Sequence, residues 1–233
     1  MARRGTIELK PLEDVLGFWD ALTPDERQYL NHNFTFQNFK KGEIIHCEGD
    51  TPTHMMVLAS GKLKVYKDGV GSRTQIIRML KPGENFSYRA IIANDTYNTT
   101  VSAFEASTVY LIRKDIFMSI LRHNNAVCFR FLEELSTDLG ASDSRTVNLT
   151  QKHIRGRLAE ALLLLKKNYG IEADEATINI HLSREDLANL SNMTTSNAIR
   201  TLSQFVNEHL IAMDGRKLKL IDEDRLLKIS RLG

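Results

Sequence analysis

Leu182-Ser183-Arg184-Glu185-Asp186-Leu187-Ala188-Asn189-Leu190-Ser191-Asn192-Met193-Thr194-Thr195-Ser196-Asn197-Ala198-Ile199-Arg200-Thr201-Leu202 decides the reading of this chain. Ser183-Arg184-Glu185-Asp186 has the form of a capping box, with a hydroxyl at the cap and an acid three residues on, and it opens a helix through Leu187-Ala188-Leu190. A brief turn falls at Asn192-Met193. Thr194 then caps a second helix whose core face is Ala198, Leu202, Phe205, Val206 and Leu210. Two helices joined by so tight a turn predict a helix-turn-helix.

The flanks extend the unit. Leu210 to Leu220 alternates about Asp214-Gly215, a hairpin turn signal, and predicts a wing with Arg216, Lys217 and Lys219 exposed. Upstream, Thr150 is the expected cap of an amphipathic helix carrying Ile154, Leu158, Leu162 and Leu165 and ending at Tyr169-Gly170. The second helix of the turn unit presents Thr194, Thr195, Ser196 and Asn197 at its start and Arg200 on the same face. Such small hydrogen-bonding side chains can lie against phosphates and base edges, and an arginine can fork onto guanine. Ser183 and Arg184 at the preceding helix start, Arg155 on the upstream helix, and Arg216 and Lys217 on the wing complete the expected DNA contacts.

Between Phe34 and Arg113 the period changes. Glu43-Ile44-Ile45, Met55 to Leu58, Lys62 to Tyr66, Gln75-Ile76-Ile77 and Thr108 to Ile112 are short β-type runs punctuated by glycines at 42, 49, 61, 69, 71 and 83. Many short strands without intervening helices predict a jelly-roll barrel. A short helix precedes it, opened by the capping box Thr23-Pro24-Asp25-Glu26. Beyond Arg113, Val127, Phe131, Leu135, Leu139 and Ser142 recur at helical spacing, and a stripe this long predicts a self-associating helix. The expected organisation is α+β: a sensor over residues 1–122, a dimerisation helix and hinge over 123–149, and a winged helix-turn-helix over 150–233.

Composition narrows the function. At 233 residues two domains are expected. The chain is 42% apolar and 26% charged, ordinary values for a folded globular protein. No apolar run nears the length needed to cross a bilayer, and the Met1-Ala2-Arg3-Arg4 start lacks a following apolar core, so a cytoplasmic protein without a membrane partner is predicted. Cys47 and Cys128, outside any C-x-x-C spacing, read as buried reduced thiols, and the seven histidines form no ligand pattern, so no metal and no cofactor are assigned. Residues 150–233 hold 13 Lys+Arg against 11 Asp+Glu, an excess equal to the whole chain's net charge of +2. Jelly rolls also house metal enzymes, but the sequence has neither clustered histidines nor a nucleophile motif, so the chain is read as not an enzyme.

Taken in order, Lys41-Gly42-Glu43-Ile44-Ile45-His46-Cys47-Glu48-Gly49-Asp50, Gly61-Lys62-Leu63-Lys64-Val65-Tyr66, Pro82-Gly83-Glu84, Gly156-Arg157-Leu158-Ala159 and Leu182 to Ala188 resemble the cyclic-AMP receptor protein/FNR (Crp/Fnr) family of bacterial regulators over nearly the whole length. The resemblance implies a cyclic-nucleotide-binding-like sensor, a homodimer through paired long helices, effector-driven rotation of the DNA-binding domains, and an operator of two half-sites about 34 to 36 Å apart. It implies double-stranded DNA as partner, and RNA polymerase where such a protein activates. The rival reading is a ligand-binding or protein-interaction module that kept the fold and lost DNA binding.

Departures from the family pattern refine this. Cyclic-nucleotide-binding members end the phosphate-binding loop with an arginine followed by Ser or Thr, a charged fork for the phosphate. Tyr97-Asn98 stands there, and the loop from Gly83 is a few residues longer. Arg89 inside it is the candidate substitute, while Asp143, beside Ser142 on the long helix, disfavours an anion. No cyclic-AMP response is expected. An unidentified small-molecule effector would sit among Gly83, Glu84, Asn85, Phe86, Arg89, Tyr97, Asn98, Thr99, Ser142 and Asp143. The cysteine cluster of oxygen-sensing members is absent, and His46 and His54 stay open as haem ligands. Thr195-Ser196 replaces the family's Arg-Glu reading pair and only the last arginine survives, as Arg200, so the operator should differ from that of the cyclic-AMP receptor protein.

Overall fold

The structure, a computed structural model, describes residues 10–69, 71 and 73–232; the Met1–Arg4 start lies outside them. The chain forms two compact units, one from the residues up to Val65 with Met79–Ser136, the other from Tyr66–Arg78 with the residues from Thr137 onward.

The first unit begins with two short 3-10 turns, Leu12–Asp14 and Trp19–Ala21, and helix α1 (Pro24–Asn33). The capping box at α1 is complete: Glu26 N donates to Thr23 Oγ1 at 3.3 Å and Thr23 N donates to Glu26 Oε2 at 2.8 Å. Among the described residues eight strands follow, with one α-helix between them: β1 (Thr35–Phe39), β2 (Ile44–His46), β3 (His54–Ser60), β4 (Leu63–Asp68), β5 (Thr74–Leu80), β6 (Asn85–Phe86), α2 (Tyr88–Ala93), β7 (Thr100–Ala103) and β8 (Ser107–Arg113). They make two four-stranded sheets, β1-β8-β3-β6 and β2-β7-β4-β5, the jelly-roll arrangement expected, with the two sheets not closed into one barrel. Pairing is antiparallel, with Thr35 opposite Leu111 and Phe39 opposite Ser107 between β1 and β8. The central pair β3 and β8 is buried almost throughout.

Helix α3 (Lys114–His123) is followed by the long α4 (Asn125–Gln151). The expected stripe on α4 splits along its length: Val127, Phe131 and the partly buried Leu135 pack on the core of the first unit, whereas Leu139 and Ser142 are exposed. Val127 and Phe131 point into the sensor core, where Phe131 meets the rings of Phe18, Tyr88 and Phe117 at centroid distances of 5.0 to 5.3 Å. Phe129, Leu132 and Val147, outside that stripe, are exposed together with Leu139. Spacings of three, seven and eight residues keep these four on one side of the helix.

The second unit contains α5 (Ile154–Tyr169), α6 (Arg184–Leu190), α7 (Thr195–Asn207), the β9 (Ile211–Asp214) and β10 (Lys217–Leu220) hairpin, and α8 (Glu223–Leu232). Leu158, Leu162, Leu187, Ala198, Leu202, Phe205, Leu210, Leu218 and Leu226 fill its core. Val206, expected inside, is exposed. Thr150 does not cap α5. It lies within α4, where its hydroxyl donates to the carbonyls of Thr146 and Val147, and His153 is the residue ahead of α5. The Tyr66–Arg78 end of the β4-β5 hairpin belongs to this unit through polar contacts. Gln75 Nε2 donates to the Asn189 carbonyl at 2.7 Å, Arg145 donates to the carbonyls of Ile76 and Ile77, and Arg78 pairs with Asp138 at 3.1 Å.

Candidate nucleic-acid interface

Helix α7 is positioned by its caps, its core face and its two ends. Thr194 Oγ1 accepts from Asn197 N at 3.3 Å, and Ala198, Thr201, Leu202 and Phe205 bury the inner face. The turn from α6 is fixed by Met193 N donating to the Ala188 carbonyl at 3.0 Å and by the left-handed Asn192 at φ 50°. Arg157 Nη2 donates to the Asn192 carbonyl and Nη1 to the Leu149 carbonyl, each at 3.1 Å, so one guanidinium joins the end of α4 to the turn. In the sequence Arg157 stands out only within Gly156-Arg157-Leu158-Ala159, and no local pattern marks it as a residue that joins two elements.

The expected contact residues separate into two groups. Thr194, Thr195, Ser196 and Arg200 are exposed at the start of α7, with Asn197 half-buried beside them and hydrogen-bonded to Arg200. The helix N-terminus adds unpaired N–H groups and a positive dipole end, a natural seat for phosphate. Ser183 caps α6 by accepting from Asp186 N at 3.0 Å, but its hydroxyl in turn donates to the Asp186 carboxylate at 2.7 Å. Arg184 reaches the wing turn and donates to the Gly215 carbonyl, next to the exposed Arg216. Arg155 lies elsewhere. It holds Glu208 through two bonds, 2.8 and 2.5 Å, and stacks on Phe205 at 5.0 Å. Glu208 follows the far end of α7, about 20 Å along the axis from Thr194. Arg155 hydrogen bonding holds the Glu208 carboxyl below the usual carboxylate range.

The wing lysines are less free than expected. Lys217 pairs with Glu172 at 3.3 Å, and Glu172 also takes His181 at 2.7 Å. Lys219, half-buried rather than exposed, pairs with Asp174 at 2.7 Å. The His181 bond first and the Lys217 bond second pull the Glu172 carboxyl down. Lys219 does the same for Asp174 and is itself raised.

In the sensor, the loop's polar groups serve their own fold. Glu84 accepts from Lys81 N at 3.1 Å, Asn85 donates to Glu134 at 3.1 Å, and Phe86 is buried. Gly83 takes φ 89° in the turn before them, a conformation glycine accepts without strain. Tyr97 is buried and stacked on His46 at 3.7 Å, and Ser87 bonds His46 Nε2 at 2.9 Å. Burial lowers His46 to about 4 and raises Tyr97. Arg89 and Asn98 are exposed, Thr99 is half-buried, and Ser142 and Asp143 are exposed on α4. No arginine fork stands where a cyclic phosphate needs one; an aromatic stack does. Cys47 is exposed and Cys128 half-buried, contrary to the expectation of two buried thiols. Among the described residues no group of three or more His, Cys, Asp or Glu gathers to hold a metal, and no helix is long and apolar enough to cross a membrane.

A jelly-roll domain, a long helix and a winged helix-turn-helix in one chain define a class of DNA-binding proteins. Comparison with known families agrees: residues 36–124 match the cyclic nucleotide-binding domain and residues 156–229 the Crp-like helix-turn-helix domain. The chain belongs to the Crp/Fnr family of transcription regulators. It is similar to a CRP-like cAMP-activated global transcriptional regulator of Mycobacterium tuberculosis, 19% identical over 92% of this chain and 96% of the relative. Among solved structures it is similar to a transcriptional regulator of the crp/fnr family from Eubacterium rectale, with a TM-score of 0.76 at 21% identity, covering 93% of this chain and 98% of that one. FixK2 from Bradyrhizobium japonicum matches with a TM-score of 0.75 at 19% identity, over 84% and 96% of the two chains. At these identities the solved structures speak to the fold.

Proposed function

We propose that the chain is a cytoplasmic regulator that binds a two-fold symmetric DNA operator as a homodimer and does not respond to cyclic AMP. The observation that carries the reading is the start of α7, where Thr194, Thr195, Ser196, Asn197 and Arg200 gather around a helix N-terminus while the inner face is locked into the domain core. Arg184 and Arg216 flank this face through the wing and supply phosphate contacts. Arg155, held by Glu208, serves to fix the far end of α7. The exposed Phe129, Leu132, Leu139 and Val147 of α4 form the seam for a second copy.

The sensor is read as filled by its own side chains. A cyclic phosphate would need a buried counter-charge, and the aligned position holds Tyr97 stacked on His46. An effector, if one acts, is of other chemistry. RNA polymerase is the further partner where this protein activates.

Selection of random duplex DNA by the purified protein, repeated at two salt concentrations, tests the reading. Enrichment of an inverted repeat that weakens steeply with salt is expected. Absence of any enriched site would leave either a regulator that needs its effector to bind or a module that has lost DNA binding. Calorimetry showing micromolar cyclic-AMP binding would overturn the sensor assignment.

A further inference from the structure

Near its start the outer face of α7 carries a single large apolar side chain among its polar groups; the other exposed one on this helix, Val206, lies two turns on at the far end. Ile199 is 49% exposed, one turn beyond Thr195 and Ser196 and adjacent to Arg200. Its exposure is not explained by packing, because the buried face of α7 runs through Ala198, Thr201, Leu202 and Phe205. Helix propensity does not explain it either, since a β-branched residue is a poorer choice than alanine, glutamate or lysine at an open helical site. Single exposed aliphatic residues are common on protein surfaces. This one lies in the middle of the face that the proposed function turns towards DNA.

The neighbours narrow what Ile199 can do there. Arg200 is hydrogen-bonded to Asn197, which holds the guanidinium on the side of the helix towards its start. Ser203, one turn on, turns its hydroxyl back to the Ile199 carbonyl at 3.0 Å. Polar side chains on either side are thus engaged with the helix itself, and the aliphatic branch of Ile199 is what the surface offers between them. In the major groove the one apolar group that distinguishes a base pair is the 5-methyl of thymine.

We infer that Ile199 is a specificity residue that packs on a thymine 5-methyl group in each half of the operator. The inference rests on the DNA-binding reading and adds one base identity to it. Arg200 then reads a purine through hydrogen bonds while Ile199 reads an adjacent thymine by apolar contact, so the two carry different kinds of information. Burial of one methyl-sized group corresponds to about a four-fold change in affinity per contact, and to roughly fifteen-fold when both half-sites of a dimer lose it.

The test uses the full-length protein and the duplex it selects from random DNA, with each thymine replaced in turn by deoxyuridine. This removes the methyl group and leaves every hydrogen-bonding edge in place. Affinity is read by fluorescence anisotropy. One thymine in each half-site is expected to show the four-fold loss with the wild-type protein. Ile199→Ala should bind the thymine and deoxyuridine forms equally, and Ile199→Val should keep most of the preference. Because Ile199 is exposed and outside the core, Ile199→Ala should retain the wild-type circular dichroism. Indifference of the wild-type protein to every deoxyuridine replacement, or a thymine preference that persists in Ile199→Ala, overturns the inference while leaving DNA binding intact. Failure to select any duplex overturns both it and the reading beneath it.

Discussion

Acidification should destabilise the sensor through His46, and the size of the effect follows from its surroundings. Burial lowers His46 from 6.5 to about 4, against smaller raising effects from the Cys47 backbone and Asp50. The folded chain therefore protonates this ring only near the lower value, while the unfolded chain does so near 6.5. Between the two the unfolded state binds more protons, so stability present above the window is lost as pH falls through it. The full window is worth about 3 kcal/mol, of which roughly 2 kcal/mol is lost by about pH 5. Urea unfolding followed by the fluorescence of Trp19, the chain's one tryptophan and packed on the sensor core, measures this transition. His46→Gln keeps a polar group for Ser87 and removes the titration. Its loss of stability between about pH 7 and about pH 5 should be smaller than the wild-type loss by roughly 2 kcal/mol. Parallel pH profiles for the two proteins would refute a His46 held neutral by burial.

Four further outcomes are expected. Phe131→Ala should cost about 3 to 5 kcal/mol in the same urea assay, because three rings would face the resulting void. Gly61→Ala should cost roughly 2 kcal/mol or more: φ is +88°, and a Cβ would collide with the Ser107 side chain and sit 2.5 Å from the Ala106 carbonyl oxygen. Arg200→Ala should lose about 1 to 3 kcal/mol of operator affinity and relax one base position, whereas Arg216→Ala should weaken all sequences alike; unchanged base preference in both would reverse the role assignments. Glu172→Gln releases Lys217 from its pair and should strengthen binding to unrelated duplex DNA, with a salt slope steeper by about one. An unchanged slope would mean that Lys217 never meets a phosphate.

What the sequence made legible was whatever local chemistry decides. The α1 capping box, the helix-turn-helix and the wing were readable because caps, tight turns and hairpin signals act over a few residues. Strand β6, two residues long, was not, since only its pairing with Met56 and Val57 makes it a strand. Strand β1 buries Phe39 alone and shows little period-two signal. Helix α4 carries apolar residues on two faces at helical spacing. Periodicity cannot tell where along the stripe the chain's own core stops, which here takes Val127 and Phe131 and leaves Leu139 outside. The Ser183 box came out altered because aspartate is one carbon shorter than the glutamate that reaches a cap's backbone N–H. Arg155 and Lys219 look like free cations in the sequence because the acids they meet, Glu208 and Asp174, are distant along it.

The hairpin contacts of Arg145 bear on modularity. Its guanidinium is held by the carbonyls of Ile76 and Ile77, which precede it in sequence by nearly seventy residues. A fragment cut at the hinge to isolate the DNA-binding half would leave that charge without these acceptors and Asn189 without Gln75. The same holds for a chimaera that borrows a sensor from a relative: strand β5 would have to travel with the helix-turn-helix it serves. In this chain the inheritable module is therefore discontinuous, and sensor exchange should succeed only between members whose β4-β5 hairpins are interchangeable.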